Sequence, residues 1–365
     1  MAEPPVVQLA GVHAVSALGR GAEAQLAAAP AFGPVHRFDT AARRVTVAAT
    51  LPEVGTLADE LADAIDAACR SAGLDRARRA ESALLLAVHG GPAPGVEPVP
   101  SALAGRLAVR CGLSGHTRVY TSACVSASTA VADAATLISR GELTRVVVAA
   151  GYLVEPDQFA LFDAGRALAD DGAVRPFSAG RRGLLLGDGV AAVVVESRAA
   201  GRRGVEPVVT VAGWGRAGDA YHPCQPDPTG AGLARAAGAA LRRAGLPPQA
   251  VGYVNANATG TAQSDAAEAA ALRRALDGYA AEVPVSSTKG LHGHALEASG
   301  LLELVVTAMA LRAGELPVNA GWQAPDEACP LNVITGAPRR TTPTHALTLN
   351  AAFGGANTAL LVGVP

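Results

Sequence analysis

Thirty residues of the chain are lysine or arginine, and Lys289 is the one lysine among them. It stands in Val285-Ser-Ser-Thr-Lys289-Gly-Leu-His-Gly-His294. A solvated surface cation can be of either type, whereas a site that needs a compact ammonium with three rotatable donors needs lysine. His294 follows five residues later and opens an apolar stretch that reads as a helix, Ala295 to Arg312. A neutral imidazole there can donate to a developing oxyanion. Glu303 lies inside the same stretch, and a carboxylate in so apolar a helix needs a partner, for which Lys289 is the candidate. A nucleophile is offered by Cys124, set among small residues in Val119-Tyr-Thr-Ser-Ala-Cys124-Val-Ser-Ala-Ser128. A helix read over Ser126 to Arg140 begins just after it, and a thiol at a helix start feels the positive end of the macrodipole, which favours thiolate. Each residue also has a plainer reading. Cys124 can be a packing thiol, His294 a capping or core histidine, and Phe353-Gly-Gly355 an ordinary hairpin turn. His292 reads as a loop histidine. Cys69, Cys111, Cys224 and Cys329 read as packing cysteines, because none precedes a comparable small-residue helix start.

Positioning these groups falls to an alternation of β-branched runs and alanine-rich helical stretches. Strands are expected at Val6–Ala10, Ala83–Val88 and Arg145–Ala150, with a helix from Leu57 to Ala72 ending before Gly73. The later half repeats the plan. It has strands at Val208–Ala212, Tyr253–Ala256 and Val283–Ser286, and helices over Gly232–Ala244 and Ala266–Leu276. Each half closes with a glycine turn and an apolar strand, Gly187-Asp-Gly189 before Val190–Glu196 and Phe353-Gly-Gly355 before Thr358–Val364. Short apolar strands flanked by helices imply an α/β sheet covered on both faces. The order of elements suggests two duplicated halves, 1–200 and 201–365, joined near Arg198 to Val205.

Composition narrows the partners. Half of the 365 residues are hydrophobic, enough for two fused cores, and the formal net charge is −2 with no basic run, which argues against nucleic acid. No apolar stretch suits a bilayer crossing, and Met-Ala-Glu-Pro-Pro at the start lacks a signal-peptide layout. Five dispersed cysteines with no C-x-x-C pair argue for free thiols in the cytoplasm and against a structural metal.

Five stretches, in order, resemble the β-ketoacyl-acyl carrier protein synthases of the elongating, type II fatty-acid and polyketide kind. They are the segment around Cys124, Val174-Arg-Pro-Phe177 to Gly187-Asp-Gly189, Val254-Asn-Ala-Asn-Ala-Thr-Gly-Thr261, Ser287-Thr-Lys289 to His294, and Phe353-Gly-Gly355-Ala-Asn357. Gly218-Asp-Ala-Tyr-His222 is similar to the type II fatty-acid enzymes in particular. The resemblance implies the thiolase fold, two related halves in five αβαβα layers, as a homodimer or a heterodimer with a related ketosynthase subunit. It implies that Cys124 accepts an acyl group from the phosphopantetheine arm of an acyl carrier protein, with no other cofactor. His294 then assists decarboxylation of a malonyl extender, with Lys289 and Glu303 in support. Thr259 and Thr261 match residues that bind the arm, Phe353 the gating phenylalanine, and Phe162 a pocket phenylalanine.

Three departures accompany the resemblance. Asn257 stands where the family has its first histidine, so an amide N–H donor replaces a group that can carry a proton. The segment His89–Arg110 is shorter than in the family, and Ala352 replaces a glycine before Phe353. Three functions follow. One is a decarboxylative condensing enzyme with a Cys-His-Asn site; another is an acyltransferase that passes the Cys124-bound acyl group to a different acceptor. The third is a non-catalytic partner subunit, which has no need of Cys124, His294 and Lys289.

Overall fold

The computed structural model describes residues 5–90, 99–202 and 206–365. The start of the chain, part of the short segment after His89 and part of the expected junction between halves lie outside the described residues.

The first half runs β1 (Val7–Ser16), α1 (Leu57–Ser71), β2 (Ala83–Ala87), α2 (Pro100–Arg110), β3 (Thr117–Tyr120), α3 (Ser126–Ser139), β4 (Arg145–Tyr152) and β5 (Gly189–Ser197). The second half runs β6 (Val209–Gly218), α4 (Ala231–Ala244), β7 (Tyr253–Asn255), α5 (Ala262–Leu276), β8 (Pro284–Ser286), α6 (Ser299–Ala313), β9 (His345–Ala351) and β10 (Ala356–Gly363). Strand order in the first is β3-β2-β4-β5-β1 and in the second β8-β7-β9-β10-β6. The two orders correspond strand for strand, with parallel pairing at β2, β3, β4 and at β7, β8, β9, and antiparallel pairing elsewhere. β1 meets β6 through Gln8–Thr210 and Leu9–Val209, which joins the two sheets edge to edge.

Helices α3 and α6 lie between the sheets, while α1 and α2 cover the first sheet and α4 and α5 the second. This gives five layers. The middle helices are apolar all round because they face protein on every side, and α6 is buried along nearly its whole length. Among the described residues no helix is long and apolar enough to cross a membrane.

Several elements differ from their sequence reading. β1 runs on past Ala10 to Ser16, and β6 past Ala212 to Gly218. The stretch expected as one helix from Ala295 breaks into a 3-10 turn, Leu296–Ala298, and α6 starting at Ser299. Leu296 is held at φ 41°, in the left-handed region, so the regular helix cannot begin at His294. His292 is no loop residue. It is buried on the short helix Lys289–His292, with Nδ1 at 2.8 Å from the Gly293 carbonyl and Nε2 at 3.0 Å from Thr288 Oγ1.

The segment Leu185–Gly187 carries the first half to the second. His294 N–H donates to Leu185 O at 2.8 Å, and Gly187 N–H donates back to His294 O at 3.0 Å. A β-carbon on Gly187 would sit 2.0 Å from the His292 carbonyl oxygen, so this contact needs glycine. The adjoining Asp188 accepts from Arg37 Nη2 at 2.6 Å and from the backbone amides of Leu51 and Val154. Gly187→Ala should lower stability by about 2–3 kcal/mol, as overpacking of a rigid contact does. It should also shift the His294 imidazole resonances, because the strand that pins His294 has to move. Chemical denaturation together with the histidine NMR spectrum checks this.

Candidate functional site

The site forms where the two halves meet. Cys124 lies on a 3-10 turn, Ala123–Val125, that leads into α3, and Ala123 is held at φ 50°. The thiol turn packs against the turn Leu296–Ala298 and against the start of α6. That close approach depends on Gly300, whose added β-carbon would meet Ser128 Oγ and Asn350 Oδ1 at 2.8 Å.

Lys289 occupies the centre. Its side chain is buried, and Nζ donates to Glu303 Oε1 at 2.5 Å and to Asn257 Oδ1 at 3.3 Å. Glu303 Oε2 accepts from Asn350 Nδ2 at 2.7 Å. Lysine is a donor only, so the Asn257 oxygen must face it and the amide NH2 is turned the other way as a donor. His294 is buried, with Nδ1 at 2.8 Å from Ser299 Oγ. With that hydroxyl as donor to Nδ1, the imidazole carries its own proton on Nε2. Burial, then the Lys289 charge, holds His294 well below the usual histidine range, so it is neutral at physiological pH. The ordinary arrangement of a protonated histidine beside a thiolate is therefore not the resting state here.

The thiol departs from its sequence expectation. Cys124 keeps some solvent contact, yet burial pushes it up to about 12, Glu297 adds to the rise, and Lys289 opposes it. Desolvation of the sulfur outweighs the helix-start effect, so the resting group is a thiol. Its proton must leave as the sulfur attacks.

The remaining expected residues are placed as follows. Thr259 and Thr261 lie on the loop before α5, with their hydroxyls 3.1 Å apart, and Thr259 N–H donates to Asp265 Oδ1. Phe353 is 55% exposed, and its ring stacks on Phe162 with centroids 6.2 Å apart. Ala352 has φ −130° and ψ 160°, extended backbone open to any residue, whereas Gly354 and Gly355 have φ 83° and 75°. The flexible positions of this turn are thus the two glycines, and Ala352 imposes no strain. Gly355 O accepts from Asp219 N–H, and Asn357 Nδ2 donates to Asp219 Oδ1, both at 2.8 Å, which stitches the Phe353 turn to the Gly218-Asp-Ala-Tyr-His222 loop.

Sequence reasoning passed over Asp265 and Glu268. Both are buried on α5. Asp265 accepts from the amides of Phe177, Thr259 and Gly260. Glu268 Oε1 accepts from Asn257 N–H at 2.7 Å, and its other oxygen has no partner among the described residues. Burial pushes Glu268 up to about 8. Together with Asn257, Asp219, Ser264 and Asn357 it lines a small cavity behind Asn257. Two acids three apart after a Thr-Gly-Thr turn, in an otherwise alanine-rich helix, were the available signal.

Comparison with known proteins now decides the family. Residues 46–200 match the model of the β-ketoacyl synthase N-terminal domain, and residues 208–323 that of the β-ketoacyl synthase C-terminal domain. The chain belongs to the β-ketoacyl synthase family. It is 36% identical to nodulation protein E of Rhizobium sp. (strain N33) over 82% of this chain and 71% of that protein. It is 34% identical to 3-oxoacyl-[acyl-carrier-protein] synthase 2 of Synechocystis sp. over 70% of this chain and 63% of that one. Alignments to relatives of this kind thus leave about a third of their length unmatched. In fold it matches the ishigamide ketosynthase/chain length factor with a TM-score of 0.92, at 24% identity over 99% of this chain and all of that one. A β-ketoacyl synthase from Burkholderia phymatum matches at 0.89 and 26% over the same shares. The ketosynthase, thiolase-type α/β fold is established on these grounds.

A thiol held near 12 gives a clear pH signature. Below its pKa the thiolate fraction rises tenfold per pH unit, so alkylation of Cys124 by iodoacetamide should climb without a plateau from pH 7 to about pH 10. A plateau near pH 7 in peptide-resolved mass spectrometry would mean that the sulfur is a stabilised thiolate.

Proposed function

We propose that the chain is a condensing ketosynthase of bacterial polyketide or specialised fatty-acyl synthesis, working in the cytoplasm on substrates delivered by an acyl carrier protein. The observation that carries this reading is the Lys289 ammonium, hydrogen-bonded to both Glu303 and Asn257. It turns the Asn257 amide into an N–H donor and adds to the burial that keeps His294 neutral. Asn257, and His294 with its proton on Nε2, act as two neutral donors to a thioester oxygen that becomes an oxyanion when Cys124 attacks.

In the first step Cys124 sulfur attacks the acyl thioester carbonyl and the carrier thiol leaves, taking up the proton that Cys124 loses. In the second, the malonyl carboxylate leaves as CO2 and its electron pair passes to the α-carbon as an enolate, which His294 and Asn257 stabilise by N–H donation. The enolate carbon then attacks the acyl-Cys124 carbonyl. The carbon–sulfur bond breaks, and the sulfur recovers one proton from solvent. Thr259 and Thr261 contact the phosphopantetheine arm, and the stacked Phe353 and Phe162 rings close the acyl pocket.

A second reading, acyl transfer without condensation, is favoured by one observation. Asn257 cannot accept a proton, and His294 is a weak base in its buried setting. Relatives supply context: one neighbour in fold is titled a type II PKS acyl-carrier protein in complex with its ketosynthase, and another a ketosynthase/chain length factor. An acyl carrier protein and a related second subunit are accordingly the proposed partners. Strand β3 supports the second subunit, since it ends its sheet next to the thiol turn with no further strand beside it among the described residues.

The wild-type protein, given acyl and malonyl carrier proteins, should show acyl-Cys124 by intact mass, release CO2 and form a lengthened product. Cys124→Ala should lose the acyl adduct altogether. Asn257→Ala should slow condensation about 10²-fold, the usual cost of one oxyanion donor, while Cys124 still loads. Loading without any CO2 from malonyl carrier protein would decide for transfer.

The quaternary arrangement is checked separately. Sedimentation should give a dimer at micromolar concentration, alone or with a related subunit, and a stable monomer under both conditions would refute the pairing.

A further inference from the structure

Next to the thiol turn lies a group of polar side chains that the steps above leave idle. Glu297 belongs to the turn Leu296–Ala298 that packs on Ala123–Val125, and it is 4% exposed. One of its oxygens lies 3.0 Å from His89 Nδ1. The other, Oε2, is buried without a partner among the described residues. His89 follows β2, and Tyr152 ends β4, the parallel neighbour of β2. The Tyr152 hydroxyl is likewise buried and completes no hydrogen bond there, although the Glu155 amide lies close. In open α/β sheets the carboxyl ends of parallel strands are where ligands bind.

Glu297 is the charge that acts most strongly on the Cys124 thiol, ahead of Lys289. It also acts on His89 and Tyr152, so all four groups share one neighbourhood. A buried carboxylate oxygen or hydroxyl left unpaired is destabilising, so a ligand group that satisfies it is favoured. Glu155 and Asp188 also act on Tyr152, and Glu155 on His89; Glu303, further along, has both oxygens occupied, by Lys289 and Asn350. Glu297 keeps one open, on the turn that packs against the turn carrying the sulfur.

We infer that Glu297, Tyr152 and His89 form a polar recognition subsite for the acyl group on Cys124, selecting chains that carry a hydrogen-bond donor, a hydroxyl or an amine, near the thioester carbonyl. This rests on the reading that Cys124 is acylated. A purely hydrocarbon chain would leave the carboxylate oxygen and the hydroxyl unpaired. A donor-bearing chain satisfies them, and discrimination by a site built to hydrogen-bond exceeds that by an apolar wall.

The test loads the full chain with butanoyl, β-hydroxybutanoyl and β-aminobutanoyl thioesters of one small thiol, and follows acyl-Cys124 by intact mass. At least one donor-bearing chain should load roughly ten- to a hundred-fold faster than butanoyl, the worth of one hydrogen bond to a charged group. Preference for the amine identifies the carboxylate charge as the selector, and preference for the hydroxyl a neutral donor; either supports the subsite. Glu297→Ala should erase the preference, read as the ratio of donor-bearing to butanoyl loading, because any effect of its charge on the thiol alters all three chains alike. Tyr152→Phe, which preserves shape, should reduce it, so a folding defect in one variant leaves the other to report. Equal loading of all three chains by the wild type would overturn the subsite alone. So would Glu297→Ala leaving the ratio of the three rates unchanged, since Glu297 would then act on the thiol alone. No loading of any chain, with Cys124 still alkylated by iodoacetamide, would overturn acylation and the subsite together.

Discussion

The ammonium of Lys289 is the fixed point from which the rest of the site follows. An unpaired charge in this interior would cost several kcal/mol. Glu303 meets it at 2.5 Å, Asn257 adds an oxygen at 3.3 Å, and Asn350 holds the second Glu303 oxygen. Those partners come from different elements: α6, the loop after β7, and β9. Asn255, at the end of β7, adds a bond to the Glu303 carbonyl and one to Thr307. The geometry of α6 relative to the second sheet is therefore set by how the charge is solvated. Burial holds His292 and His294 down, the same charge adds to that, and it opposes the rise of Cys124. A single buried cation thus orders the side chains around it and biases their protonation, in an interior whose burial sets the larger part of it. Arginine, with its planar fork, fits neither the short contact to Glu303 nor the contact to a single amide oxygen.

Asparagine at 257 is coherent with that arrangement. A donor-only cation on one side and the Glu268 carboxylate on its backbone amide leave the side chain no orientation except oxygen inward, NH2 outward. The donor is oriented before substrate arrives, which is where preorganised sites gain over water. The consequence is that any proton movement at the thiol falls to His294 or to the departing thiol of the substrate. With the sulfur protonated at rest, nucleophilic attack and proton loss become one event, and the resting site is shielded from the oxidation that a free thiolate invites.

Much of the architecture was legible from period and composition, and the errors share one physical cause. The expected strands end at Ala10 and Ala212, each followed by a glycine, whereas β1 and β6 run on. Gly11, Gly213 and Gly215 stand where a helix backbone lies against the strand; their added β-carbons would fall 2.3, 2.1 and 2.0 Å from the carbonyls of Ala68, Ala240 and Ala236. Glycine there marks helix-on-sheet contact within the strand, which a single-sequence reading takes for a loop. The break at Leu296 was hidden for a related reason, since an apolar run carries no mark of a left-handed turn imposed by tertiary packing. Among the site residues, Lys289 and Glu303 were legible because a charge in an apolar run must be answered. Asp265 and Glu268 were not, because an acid in a mixed segment looks like a solvated face until the neighbours are known.

The two related halves do not make two independent sites. Cys124 belongs to the first, while Asn257, Lys289, His294 and Glu303 belong to the second, and one apolar core draws residues from β1, α3, β4 and β5 together with α6, β9 and β10. Ser128 on α3 and Thr358 on β10 share a hydrogen bond of 2.7 Å across the middle layer, beside Gly300. The parallel strands of each half give carboxyl ends where loops can carry chemistry, and the antiparallel β5 and β10 carry the chain back through the middle of each sheet. Duplication alone would yield two equal crevices. Here the two crevices are merged by the α3–α6 contact, so that the loop ends of one half supply the nucleophile and those of the other supply the donors. Geometry at the sulfur then depends on how closely two buried helices can approach, and that distance is set by an absent side chain at Gly300 as much as by any residue that touches substrate.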